Sequence, residues 1–451
     1  MQDVAWDLLR DDEEDAAVVH AAAAAARVVV YRGSPMSNGP GWRGRCLGSA
    51  RNIPRGHDSW FNDYLGPTPV YTAAQFRTRF RVPLALYRLL ERELPRVEPS
   101  LRQRTDATGR LGHPLYAKLL NSLRRLGSDV SFQDLDDQFR KASETQRQVF
   151  TTFLHAVRSR FGPRFLNREP TALELRCITD QYAARGFPGC AGAVDCMKLI
   201  WKNCPRALKG QFHNPKDSKM AVISWEAAAD SSLYCWHWFA GRPGTNNDVN
   251  VLDNSPLFTD ILSGRRCMHL PDGYVLNGLR RRWRLYLLGD GIYPRWAIFF
   301  LPISTPTSDK EKHAGKMQES VRKDVERMFG CLQGRFLILR RERHEWSEET
   351  ILLIAQVCVI LHNMIVVMQR EGDLAGEAFG EDGETPVDLV QEFSTGPPAG
   401  GEPLVVGPAG GPAGVGGLPA LLERVSAVKS EYGHLTLRAA LTDHLWAIRG
   451  E

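Results

Sequence analysis

The sequence predicts an α/β fold, a mixed sheet flanked by helices, with a helical region ahead of it. Three observations point that way. Helical periodicity runs through residues 67–185, apolar stretches of strand length separated by short turns begin after Gly186, and long amphipathic stretches return from Lys312 onward. The 451 residues exceed one average domain, and a composition of 43% hydrophobic and 24% charged residues excludes a fibrous or wholly disordered chain.

Residues 1–66 mix acids, an alanine run and a Gly/Pro/Arg/Ser stretch without sustained periodicity, so they are expected to be largely disordered. In the helical region 67–185, Leu115 to Leu126 reads as one helix. Ser131 before Phe-Gln-Asp and Ser143 three before Gln146 are helix-start signals, each offering a hydroxyl to an unsatisfied N-terminal amide. Behind Ser143, the residues Val149, Phe150, Phe153, Leu154, Val157 and Phe161 form one apolar stripe. The three short helices have helix-turn-helix proportions, although such units serve as packing modules more often than as DNA readers.

Ala191 to Trp201, Ala221 to Ala229 and Leu233 to Ala240 read as three strands of an antiparallel meander. Leu285 to Leu288 is a short buried strand. A long helix near Lys312 to Leu332 carries Met317, Val321, Val325 and Leu332 on one side, and a further helix follows Ser347. This unit spans 186–370. Residues 371–419 are an acidic and then Gly/Pro-rich linker, with nine Gly and six Pro in the 24 residues 396–419. Helical periodicity resumes over 420–451, interrupted at Gly433.

Charge is unevenly spread. Residues 1–16 carry seven acids against Arg10, and 371–423 carry ten acids and no Lys or Arg, which leaves 56 basic against 35 acidic residues, +21, on the remainder. That excess favours a polyanionic partner, nucleic acid before an acidic membrane surface. The nine cysteines include no Cys-x-x-Cys pair and read as reduced thiols. Acids precede the apolar stretch Val18 to Tyr31 where a secretory leader would carry Lys or Arg. Gln356, His362 and Asn363 interrupt Ile351 to Met368, which fits a buried helix better than a membrane span. An intracellular, soluble protein is expected.

Asp195 interrupts the apolar first strand, where an unpaired charge is costly to bury. Asp290 follows Leu-Tyr-Leu-Leu-Gly at the end of another buried strand, a place where ligands of α/β sheets collect. Glu326 lies beside the apolar stripe of the long helix, and Asp248 closes the loop after the third strand. Converging, such acids would repel one another and require a cation, and oxygen-only ligands suit Mg²⁺ or Mn²⁺. Two such ions can activate water and stabilise the leaving oxygen of a phosphodiester. Arg280, Arg281, Arg282, Arg284, Arg322, Lys323, Arg327, Arg335, Arg340, Arg341 and Arg343 flank the acids and would set them in a basic field. Each acid also has an ordinary alternative: Asp195 paired with a buried Arg, Asp290-Gly291 as a turn, Glu326 bridged to Arg322. Together, in the order strand-strand-strand-helix-strand-helix, they give a ribonuclease-H-like layout. His237 reads as an in-sheet residue and Cys196 as structural.

The blocks Arg185 to Met197, Trp201 to Pro205, Trp238 to Leu252, Gly289 to Trp296, Arg322 to Gly330 and Leu361 to Met364 together resemble the PIF/Harbinger DDE transposases and the nuclease domesticated from them in animals. They occur in the family's order over roughly residues 70–370, and the segment His434 to Trp446 is similar to the family's C-terminus. The resemblance implies a ribonuclease-H-like core in which Asp195, Asp290 and Glu326 match the DDE triad, thirty-five residues separating the last two, with Asp248 matching a further metal acid. It departs at Lys198, where many relatives have His. It also implies a divalent cation, Mg²⁺ or Mn²⁺, cleavage at terminal inverted repeats with joining of 3′ ends to target DNA, and a separate Myb-like DNA-binding partner. A nuclear location follows, with the cytoplasm and homo-oligomerisation left open. The alternatives are a domesticated, catalytically silent DNA-binding or partner-recruiting protein and a hydrolase of small phosphates, the latter disfavoured by the +21 excess.

Overall fold

A computed structural model describes residues 53–107, 109, 111–139, 142–166, 168–212, 220–243, 254–266, 268–374 and 418–450. Most of the expected N-terminal disordered segment and of the acidic and Gly/Pro-rich linker lies outside the described residues.

The helical region opens earlier than the sequence suggests. Ile53–Tyr64 forms α1, within the stretch expected to be disordered. Its order comes from aromatic packing: Phe61 stands 5.3 Å from the Tyr116 ring, and Tyr64 lies 5.1 Å from Phe80, centroid to centroid. The next helices are α2 (Ala73–Phe80), α3 (Leu84–Val97), α4 (Leu115–Ser128), α5 (Phe132–Phe139) and α6 (Ser143–Phe165). Thr72 and Gln75 cap α2 reciprocally, and Ser131 accepts from the Asp134 amide at 3.1 Å ahead of α5, as its position predicts.

Ser143 behaves otherwise. Ala142 is the N-cap of α6 and makes no side-chain cap, while Ser143 donates to the Phe132 carbonyl. Gln146, read as its capping partner, is buried and accepts from Asn121 at 2.9 Å. A tertiary amide pair has taken the side chain that a local cap would use. The apolar stripe Phe150, Phe153, Leu154, Val157 and Phe161 is buried, and α6 packs against α4 and the long helix α11 described below.

Helix α7 (Ala172–Ala183), started by a Thr171/Glu174 capping box, delivers the chain to β1 (Cys190–Ile200). After α8 (Arg206–Phe212) come β2 (Val222–Ala229) and β3 (Cys235–Pro243), the predicted meander within a residue or two at most bounds. Then follow α9 (Pro256–Ser263), the hairpin β4 (Tyr274–Leu276) and β5 (Leu279–Arg281), β6 (Tyr286–Leu288) and β7 (Phe299–Phe300). Asn277-Gly278 turns the hairpin with positive φ at both residues, the backbone that a two-residue turn between twisted strands needs.

Five strands make one mixed sheet in the order β3-β2-β1-β6-β7. β1 to β3 are antiparallel neighbours, while β6 joins the other side of β1 in parallel and β7 continues in parallel. The β1/β6 register shifts between Cys190 and Ala193, and Gly192 inside that irregularity has φ +139°. A Cβ there would sit 2.7 Å from the Ala229 carbonyl oxygen, so the close approach needs glycine.

Helix α10 (Asp309–Arg335) lies on β1, β2 and β6, and α11 (Glu348–Leu374) runs behind it. By length and composition α11 could cross a membrane, but 83% of its most apolar window is buried inside the protein, as a core helix requires. His362 and Asn363, the polar interruptions, are both used. Asn363 bonds the Cys235 amide and carbonyl on β3 and the Phe165 carbonyl, and His362 Nε2 meets the Leu233 carbonyl at 2.8 Å. Finally α12 (Leu418–Val428) and α13 (Glu431–Ala447) fold back, α13 against α10. The break falls at Lys429-Ser430; Gly433 lies inside α13 and donates to the Ser430 cap. Cys177, Cys190, Cys204, Cys235, Cys331 and Cys358 are free thiols.

Candidate active site

The parallel register decides where two of the acids stand. Ala193 on β1 is level with Leu288 on β6. Asp195 lies two residues beyond Ala193 and Asp290 two beyond Leu288, so both follow the same rung of adjacent parallel strands, about 4.8 Å apart. Each carboxylate is oriented by an amide: the Cys196 N–H donates to Asp195 at 2.9 Å and the Gly291 N–H to Asp290 at 2.7 Å. The turn at Asp290-Gly291, an alternative to a functional role, therefore exists and also aims the carboxylate.

Glu326 comes from α10, which is fixed against this strand end. Gln318 donates to the Gly289 and Phe300 carbonyls at 3.0 and 3.1 Å, tying the helix to the ends of β6 and β7. Asp324, fully buried two residues before Glu326, pairs with Arg185 and with Arg327 at 2.7 Å, and Tyr182 donates to it at 3.3 Å. Both anchors precede Glu326 along the helix and lock the turns that lead up to it.

Arg322 stands between the acids, one helical turn before Glu326. Its guanidinium is 3.1 Å from Glu326 and 3.9 Å from Asp195. Burial pushes the Asp195 carboxyl up to about 6; the Cys196 amide and Arg322 pull it down, and the charges of Glu326 and Asp290 push it up again. The other two acids thus both act on Asp195. Among the described residues, no three His, Cys, Asp or Glu side chains are grouped tightly enough to hold a metal ion as they stand, and two of the acids share the Arg322 guanidinium. The donor set itself, all oxygen and mutually repelling, fits a hard divalent cation. Asp248 lies outside the described residues.

The basic field is narrower than the sequence suggests. Arg343 is only 1% exposed and pairs with Asp129 at 2.8 Å, because its backbone joins the end of β1 at Ile200 and Lys202 and carries the side chain inward. Arg335 turns to His362 and Gln369, and Arg327 serves Asp324. Arg280, Arg282, Lys323, Arg340 and Arg341 remain exposed, as does Lys198.

The sequence reading passed over Glu226 on β2, opposite Cys196 and fully buried. Burial pushes its carboxyl up to about 8 and the neighbouring His237 imidazole down to about 3, leaving both neutral near pH 7. Ser255 donates to Glu226 at 3.0 Å and lies 3.4 Å from His237. An acid inside Val222-Ile-Ser-Trp-Glu-Ala-Ala-Ala is the same signal that singled out Asp195. His237 is an in-sheet residue, as expected.

A family model described as plant transposon protein matches residues 163–374, a stretch containing the whole sheet and Asp195, Asp290 and Glu326. Over this stretch the chain is similar to transposon-encoded proteins, which supports the resemblance to the PIF/Harbinger DDE transposases. A protein ALP1-like of Arabidopsis thaliana is similar to it, 25% identical over 269 residues, 58% of this chain and 63% of that relative's length. A model of a domain of unknown function matches residues 56–93, over α1 to α3. No solved structure matches. The matched stretch begins inside α6 and ends with α11, so it takes in the helix that packs behind the sheet as well as the acids.

Proposed function

We propose that this protein is a divalent-metal-dependent DDE endonuclease or transposase acting on DNA, with Asp195, Asp290 and Glu326 as the acids that carry the chemistry and Asp248 as a further ligand. One observation carries the reading: Asp290, just past the end of β6, and Glu326, on the helix laid across the sheet, both act electrostatically on Asp195 within the adjacent parallel strand β1. The strand order β3-β2-β1-β6-β7, with an antiparallel meander and two parallel additions, supports a ribonuclease-H-like core.

Asp195, Asp290 and Glu326 would hold Mg²⁺ or Mn²⁺, which supplies an activated water and charge neutralisation at a phosphodiester. The chain's own part is positional. The Cys196 and Gly291 amides fix two carboxylates, Gln318 and Asp324 fix the helix that presents the third, and Arg322 holds their charge meanwhile. The exposed Arg280, Arg282, Arg340 and Arg341 suit a phosphate backbone. Terminal inverted repeats as substrate, a Myb-like DNA-binding partner and a nuclear location complete the proposal.

A second reading, a domesticated protein that keeps the fold without cleaving, draws on Arg322: an arginine already satisfies two of the three acids. The test is cleavage of terminal-repeat DNA by the full chain with its partner and Mg²⁺ or Mn²⁺. Asp290→Asn should abolish cutting. Undiminished cutting by that variant would remove the mechanism, and salt-sensitive DNA binding with no cutting by the wild type would favour the second reading.

A further inference from the structure

Away from the acids, a cavity of about 210 Å³ opens where α2, α10 and α11 meet, lined by Arg77, Thr78, Arg81, Gly334, Arg335 and Ile365. Three arginines line it and no acidic residue does. Among the described residues none of the three makes an ion pair. The Arg335 side chain is held from behind by two neutral groups, donating to His362 Nδ1 and to Gln369, both at 3.0 Å. His362 is kept neutral, burial pushing it down to about 3 with the Arg335 charge adding to the effect, and its Nε2 donates to Leu233. Arg335 is therefore positioned but uncompensated. Burial works most against its cationic form, Cys331 offsets part of that, and the charge of nearby Arg77 adds to it. Arg81 ends α2 in a left-handed conformation, φ 63°, and its buried Nε has no hydrogen-bond partner. Unpaired buried donors and unpaired charge each carry a penalty that an anion would remove.

We propose that this cavity binds a phosphate of a DNA strand at a position away from the scissile bond. The anion is tetrahedral and multiply accepting, which suits guanidinium forks converging from two helices. A strand is favoured over a free phosphate by placement. Arg335 lies nine residues after Glu326 on α10, roughly 14 Å along the helix axis, or about four nucleotide steps of a duplex. Arg77 at the rim is exposed, so the opening is reachable by a polymer. The proposal rests on the DNA-acting reading only for the source of the phosphate.

The test measures affinity of the full chain for a fluorescent duplex in EDTA from 50 to 200 mM salt, so that the acids' chemistry plays no part. Arg335 is left intact because it also braces α11. Wild type is compared with Arg77→Gln/Arg81→Gln, with Arg77→Gln alone in case the double variant melts early, and with the surface control Arg147→Gln. The slope of log affinity against log salt should shrink by about 1 in the cavity variants, the signature of one lost phosphate contact, and stay unchanged in the control. An unchanged slope in a folded cavity variant overturns the proposal. So does stabilisation of wild type alone by inorganic phosphate with equal slopes, which marks a small-anion site. A wild type with no salt-dependent binding fails the DNA reading itself.

Discussion

The guanidinium of Arg322 lies 3.1 Å from the carboxylate of Glu326, one turn further along α10. The same group reaches Asp195 on β1 at 3.9 Å, so one arginine neutralises two acids that come from different layers of the fold. Replacing it with a neutral side chain leaves partly buried like charges facing one another. Arg322→Gln should lower the melting temperature at pH 7, by the equivalent of about 1–3 kcal/mol. Mn²⁺ should restore more stability to this variant than it adds to the wild type, since an ion that binds only the folded state stabilises it in proportion to its affinity. Melting curves with and without Mn²⁺ check this; an equal Mn²⁺ increment in both proteins counts against it.

Asp195 should cost the protein stability. Its folded value of about 6 lies above the ordinary 3.8, so between those values the native state binds more protons than the unfolded chain, and stability falls as pH rises through that window. The loss persists at pH 7. Asp195→Asn should therefore raise stability at pH 7 by on the order of 1–3 kcal/mol, show no gain near pH 3, and destroy cleavage. Denaturant titrations at the two pH values supply the comparison.

Glu226 gives a second pH dependence with a different window. Its carboxyl is raised to about 8 from 4.5, so stability declines as pH climbs from 4.5 through 8. Glu226→Gln should match the wild type near pH 4 and exceed it at pH 9. His237, lowered to about 3, works in the other direction, its contribution being lost as pH falls from 6.5 towards 3. A wild-type stability curve flat from pH 5 to 9 would contradict the Glu226 assignment.

Gly192 should not tolerate a side chain. With φ +139° and the Ala229 carbonyl 2.7 Å from the site of a Cβ, Gly192→Ala should cost about 1–3 kcal/mol. Because the irregularity sits between Cys190 and Ala193, three residues from Asp195, the same variant should also reduce Mn²⁺ affinity. Urea melts and metal titration read the two effects separately.

What the sequence made legible was burial interrupted by charge. Asp195 and Asp290 stand out because a carboxylate within or at the end of a strand-length apolar run must have a reason to be there, and the meander followed from turn residues between such runs. The acid on α10 could not be separated from an i,i+4 pair with Arg322, and the structure contains that pair. Short elements were missed: β7 has two residues, and β4 with β5 have three each, too few for alternation to register even though Asn277-Gly278 marks their turn. Helix α1 was hidden by the Gly/Pro-rich sequence before it, and its order depends on Phe80 and Tyr116, which no local pattern reveals. Arg343 was counted with the surface bases because its burial is set by a bridge to Trp201, some 140 residues away in the chain.

The most direct test of the central claim is Mn²⁺ binding to the full chain, followed by electron paramagnetic resonance, for the wild type and for Asp195→Asn, Asp290→Asn and Glu326→Gln. Saturable binding in the wild type, weakened at least tenfold by each substitution, is the expected result. Binding that is equally strong in all four proteins would contradict the claim that these three carboxylates form one site.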